Sequence, residues 1–296
     1  MFVFLVIYKP LIGGLVMEDK LLKIIYDYSF KGRILSPKDM KVILEYLVNY
    51  YKLNNYIDFI LINEIKYDKG ENILVHYFNK TKQFVIYSDT VKTITTHIFN
   101  NSMFNRFDAI YYTNIYVMHV ILHEIDHVIQ FKNSKNKSNL TEEIMYLTNN
   151  VSKIINSRLL SQDLTDEELI KKVKKIESIF SNMWEYAPHE RLAEYNSYKK
   201  ILEITDEIKN KIPSVYEYIK FYLNTLLLQG YVENDTSSPT EIYFEAVDLK
   251  DTLENNTSYK KKEHDFSERY KLGLFIKPEE YKEEKRKLEL LKKNFQ

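Results

Sequence analysis

Apolar residues recur three or four positions apart over 19–29 and 37–52, so each stretch presents one apolar stripe and reads as a helix. Ser36-Pro37 opens the second as a cap followed by a first-turn proline. The period then changes. Residues 56–63 (YIDFILIN), 73–78 (ILVHYF) and 83–89 (QFVIYSD) are short, β-branched and aromatic, and read as strands. The turn YDKGEN (67–72) precedes the second, and Asn79-Lys80-Thr81-Lys82 joins the last two, which predicts a hairpin. Helical spacing returns over 90–102. Residues 112–131 are apolar without a breaker and predict a helix through the core, ended by the polar run KNSKNKSN (132–139). Beyond it, 141–160, 165–182, 188–210 and 213–229 read as helices, the second with a Thr165/Glu168 capping box. A looser stretch, 230–240, follows. Residues 259–296 hold twelve Lys/Arg against eight Asp/Glu and end in a charged helix that Leu288 and Leu291 would pack onto the body.

This pattern predicts an α+β chain, mainly α, with a small antiparallel sheet on the 112–131 helix and a helical C-terminal half. The expected organisation is an apolar N-terminal segment over 1–18 and a domain over 19–229, composed of 19–132 and a helical part over 140–229. A charged helical region over 230–296 completes it.

Composition narrows the function. The formal net charge is zero, so no global field draws the chain to nucleic acid or an acidic membrane, and neither is an expected partner. There is no cysteine, which excludes disulfides, thiolate zinc fingers, iron–sulfur clusters and cysteine nucleophiles. In the opening MFVFLVIYKPLIGGLVMEDK, Lys9-Pro10 splits the apolar run, no basic residue precedes it and no small-residue cleavage site follows. The run is also too short for a spanning helix. The expected location is cytoplasmic, with Met17 as a second candidate start. An exported or membrane-tethered form through residues 1–17 is the alternative.

The segment VMHVILHEIDHVIQF (117–131) carries His119, His123 and His127 at intervals of four. On a helix, residues four apart share a face and lie about 6 Å apart along the axis. His123 and His127 can therefore reach one ion. Glu124, turned about 100° from His123, stands beside that ion without binding it. This is the HExxH arrangement, in which two histidines hold zinc and the glutamate is general base to a water that the ion acidifies. His119 is about 12 Å along the axis from His127, too far for all three to meet one ion at bonds near 2.1 Å. It is expected behind the ligands or in the core. Asp126 projects to another side, to hold a neighbouring cation or to be solvated.

A catalytic zinc takes three protein ligands. A continuation as HExxHxxGxxH fails, because 130 is Gln and 133 is Asn. The best source of a third ligand is YAPHERLAEYNSYKK (186–200). Pro188 reads as a first-turn proline, which puts Glu190 where the helix N-terminus favours a carboxylate. Glu194 lies one turn on, and Ala193 permits a close approach to the 112–131 helix. Glu190 is the expected ligand, with Glu194 holding an imidazole N–H from behind. Glu194 or His189 as ligand are the alternatives. Tyr186, His189 and Tyr195 are candidates for stabilising an oxyanion.

HEIDH at 123–127 with ERLAE at 190–194 resembles the gluzincin class of zinc metallopeptidases, most closely the compact repressor-cleaving (ImmA/IrrE-like) enzymes of bacteria and mobile elements. The resemblance covers about 80 residues, and Glu194 stands where the class more often has Asp or Asn. It implies a zincin-like core, one Zn2+ per chain, and hydrolysis of a protein or peptide substrate. It also implies an edge strand beside the active helix that takes substrate as an added strand, for which 83–88 is the candidate. A reading from another class is a non-catalytic zinc-binding regulatory domain on the same scaffold, against which an intact Glu124 argues.

Overall fold

The computed structural model describes residues 17–64, 73–133, 150, 153–157, 167–171, 174, 188–228, 239–255 and 280–294. Two helices open it, α1 (Met17–Phe30) and α2 (Pro37–Tyr50). Ser36 caps α2 reciprocally: its Oγ accepts from the Asp39 amide, and the Asp39 carboxylate accepts from the Ser36 amide.

Three strands follow, β1 (Phe59–Asn63), β2 (Val75–Phe78) and β3 (Gln83–Tyr87). β2 and β3 form the expected antiparallel hairpin, turned by a 3-10 segment at Asn79–Thr81 and by Lys82 in the left-handed region (φ 48°). β1, however, pairs parallel with β3, and the order is β1-β3-β2. The sheet is therefore mixed, not antiparallel. Phe84, Val85, Ile86 and Tyr87 of β3 are all buried, so its unbroken apolar run belongs at the centre. Phe59, Leu61 and Ile62 of β1 remain exposed, as an outer strand allows. Residues 83–87 are thus no edge. The edge beside the long central helix is β2.

After α3 (Ser88–Asn101) comes that helix, α4 (Arg106–Asn133). It starts earlier than residue 112 because Asn105 caps it, its Oδ1 accepting from the amides of Phe107 and Asp108. α4 is buried on most sides. Ile115, Met118, Ile121 and Ile125 share one apolar core with Leu21 and Ile25 of α1, Met40 and Leu44 of α2, and Phe84 and Ile86 of β3.

α5 (Pro188–Thr205) ends before residue 210, in a 3-10 turn at Asp206–Ile208, and α6 (Pro213–Leu228) follows. Ile201, Ile204, Val215 and Ile219 bring both into the same core. The last described helices are α7 (Pro239–Glu254) and α8 (Tyr281–Lys292). α8 packs on α6 and buries Leu288, as its thin stripe predicts. Of the helices expected at 141–160 and 165–182, residues 153–157 and 167–171 are helical. The rest of those two, apart from residues 150 and 174, lies outside the described residues, Thr165 of the capping box included. So do residues 1–16, the turn at 67–72 and residues 230–238. Among the described residues no helix is long and apolar enough to cross a membrane.

One buried polar group fixes α4 to the chain before α2. Asn114 is fully buried; its Oδ1 accepts from the Leu35 amide at 2.8 Å, and its Nδ2 donates to Ser29 Oγ at 3.0 Å and to the Arg33 carbonyl at 2.8 Å. Asn114→Leu strands these partners in the core. It should cost about 2–4 kcal/mol in urea denaturation, the penalty of buried unpaired polar groups. An unchanged midpoint would contradict this.

Candidate metal centre

α4 and α5 run antiparallel and meet along a polar seam. Spacing of four on each helix sets it out. His127, His123 and His119 descend α4 as Glu190, Glu194 and Tyr198 ascend α5, each set on one face. Ala193 and Ser197 are buried on α5 and small, so the backbones can approach closely.

At the upper end three atoms converge. His123 Nε2 and His127 Nε2 are 3.0 Å apart, and Glu190 Oε2 is 3.1 Å from the first and 3.2 Å from the second. Hydrogen bonds alone do not account for every side of this triangle. A ring nitrogen offers one proton or one lone pair, yet His123 Nε2 faces both another imidazole nitrogen and a carboxylate oxygen. One cation placed among them would serve all three. Ligands bound at about 2.05 Å to a tetrahedral ion stand roughly 3.3 Å apart, which is close to the size of the triangle.

Two overlapping groups bring ligand-capable atoms within 4.8 Å of one another: His123, Glu124 and His127, and His119, His123 and Glu194. Ring positions separate them. A ring centroid sits about 3.2 Å from an ion held by that ring. The His123 and His127 centroids, 4.7 Å apart and 86° between planes, then subtend about 95° at a shared ion. Those of His119 and His123 are 6.2 Å apart and would subtend about 150°, far from tetrahedral. The second group is better described as a carboxylate between two imidazoles. Glu194 Oε2 is 3.0 Å from His123 Nδ1 and 3.1 Å from His119 Nε2.

Glu124 is buried beside the triangle, and its Oε2 accepts from the Tyr77 amide at 2.7 Å. That amide points away from β3, so the edge strand orients the carboxylate with a backbone group. Asp126 is not simply solvated, and it lies within electrostatic reach of His127 and His123. It is half-buried between the helices, accepting from Gln130 Nε2 at 2.6 Å and from Asn196 Nδ2 at 3.2 Å. Burial raises its pKa against those two hydrogen bonds.

The charges express one demand. Burial works against an imidazolium at His123, but hydrogen bonds to Glu190 and Glu194 and the charge of Glu124 outweigh it, and its pKa is pushed up to about 10. Burial likewise opposes charge on Glu194. The charge of His119 close by and the hydrogen bond with His123 outweigh that, and hold its carboxyl well below the usual range. Positive charge is wanted on this seam, as a proton or as a metal ion.

The structure thus brings His123, Glu124, His127, Glu190 and Glu194 together, with His119 one turn below. The side chains of His189 and Tyr186 lie outside what is described. Tyr195 is half-buried; burial first and the charge of Glu284 on α8 next raise its pKa, so it stands within electrostatic reach of α8. Two features escape a sequence reading, and a third carries a signal. The Tyr77 amide is a backbone group with no residue signature. Asn196 and Gln130 around Asp126 carry no distinctive spacing. Tyr198, stacked on His119 at 3.8 Å, lies one turn beyond Glu194, and that interval does signal it. No family model matches the chain, and no curated protein or solved structure matches it either.

Proton and metal compete for His123. Below a pKa of about 10 the metal-free ring holds a proton that the ion must displace. Apparent affinity for an added divalent metal, with zinc as the probe, should therefore rise at least about tenfold per pH unit between about pH 6 and 8, measured by chelator competition. An affinity flat over that window would contradict the charge balance described.

Proposed function

We propose that the chain is a zinc-dependent metallopeptidase of gluzincin type, hydrolysing peptide bonds in a protein or peptide substrate. The observation that carries this reading is the closed triangle of His123, His127 and Glu190 with the oriented Glu124 carboxylate beside it. His123, His127 and Glu190 would hold the ion, whose donor set of two imidazoles and one carboxylate suits zinc. When bound, zinc acidifies a water molecule and polarises the substrate carbonyl. Glu124 accepts the water's proton on a carboxylate oxygen and passes it to the leaving amine, as a general base and then a general acid. The Tyr77 N–H fixes Glu124 Oε2 for that task. Glu194 holds His123 through Nδ1, which leaves Nε2 for the metal. An extended substrate would lie along β2, the sheet edge beside α4.

Glu124→Gln keeps shape and one hydrogen bond but cannot accept a proton. It should fold, bind zinc like the parent, and lose hydrolysis of a fluorogenic peptide library by about 10²–10⁴-fold. Equal activity, or lost zinc, would sink the assignment of Glu124. Zinc binding by the parent with no cleavage of any peptide pool would favour the non-catalytic domain instead.

The two α5 glutamates should separate in zinc titrations. Glu190→Gln removes a charged ligand and should lose most of the metal. Glu194→Gln should weaken binding about 10- to 100-fold, as changes behind a ligand do. The reverse order would exchange their roles.

A further inference from the structure

On the reading of His123 as a metal ligand, we infer that His119 is a positioning residue for it, acting through Glu194. Glu194 presents the same oxygen, Oε2, to His123 Nδ1 at 3.0 Å and to His119 Nε2 at 3.1 Å. One carboxylate oxygen thus lies between the two rings, and His119, Glu194 and His123 form a chain leading toward the triangle. His119 is 4% exposed, and its ring stacks on Tyr198 at 3.8 Å with 26° between planes. Among the described residues its Nδ1 meets no hydrogen-bond partner, and its Nε2 approaches Glu194 off the line of the ring N–H. A buried imidazole so poorly satisfied is a costly filler, because an aromatic hydrocarbon would stack on Tyr198 without the desolvation. What the imidazole contributes, and an apolar ring does not, is a polar edge against the carboxylate. That edge keeps Glu194 from swinging off His123, and so keeps His123 turned with Nε2 toward His127 and Glu190.

The function of His119 is read from metal release, not from activity. In zinc-loaded protein challenged with excess chromogenic chelator, His119→Phe keeps the stack and loses the polar edge. Zinc release should become about 10- to 100-fold faster, while the melting temperature of the metal-free protein stays within a few degrees of the parent's. His119→Gln, which returns a donor near the Nε2 position, should recover most of the parent rate. Combined with Glu194→Gln, His119→Phe should add little, because both break one chain. A release rate within twofold of the parent in His119→Phe, or full additivity with Glu194→Gln, would overturn the inference. So would two zinc ions per parent chain with one lost in His119→Phe. Should His119→Phe not fold, long-range proton–nitrogen spectra of the loaded parent decide: the His119 proton is expected on Nε2, and a proton on Nδ1 overturns the chain. A parent that binds no zinc would instead defeat the metallopeptidase reading itself.

Discussion

Helix pairs in a protein core usually meet through apolar side chains, but α4 and α5 meet through imidazoles and carboxylates. Taking each ionised group out of water costs several kcal/mol even after relaxation. That cost is offset only where opposite charges and hydrogen bonds close on one another, which the seam from His127 and Glu190 down to His119 and Glu194 achieves. The arrangement concentrates negative charge around His123 and so sets a place for a cation. Such an interface is held by whatever supplies that charge, and a bound ion would become part of the packing between two helices far apart in sequence.

The remaining elements keep this seam in register. α4 is clamped on its other sides by α1, α2 and the sheet through a continuous apolar core, and by Asn114 through hydrogen bonds to the chain before α2. A helix fixed in this way cannot rotate to satisfy its histidines elsewhere. β2 serves a second purpose. As an edge strand it has amides that β3 does not use, and the one at Tyr77 is spent on Glu124. Scaffold and chemistry thus meet in backbone groups as well as side chains.

Much of this was legible in the sequence, and the limits have physical causes. The histidines of HEIDH declare their shared face because the helical repeat is fixed, and Glu190 and Glu194 declare theirs in the same way. Spacing alone could not say which glutamate faces which ring nitrogen, since that depends on the register between two helices. The structure puts Glu190 against Nε2 of both histidines and Glu194 against Nδ1 of His123. The hairpin at 75–87 was readable because it is local. The parallel pairing of β1 with β3 was not, because nothing in either strand encodes its distant partner or direction, and with it went the expectation that 83–88 is an edge. The start of α4 was missed because the apolar run is obvious only from 112, whereas the cap that begins the helix is the polar Asn105.

We propose that one metal ion joins α4 to α5 at His123, His127 and Glu190. Anomalous diffraction from crystals of the zinc-loaded protein, recorded on both sides of the zinc absorption edge, addresses it most directly. One strong peak per chain is expected, about 2.0–2.2 Å from His123 Nε2, His127 Nε2 and a Glu190 oxygen. A peak between His119 and Glu194 would contradict it, as would no peak on the seam.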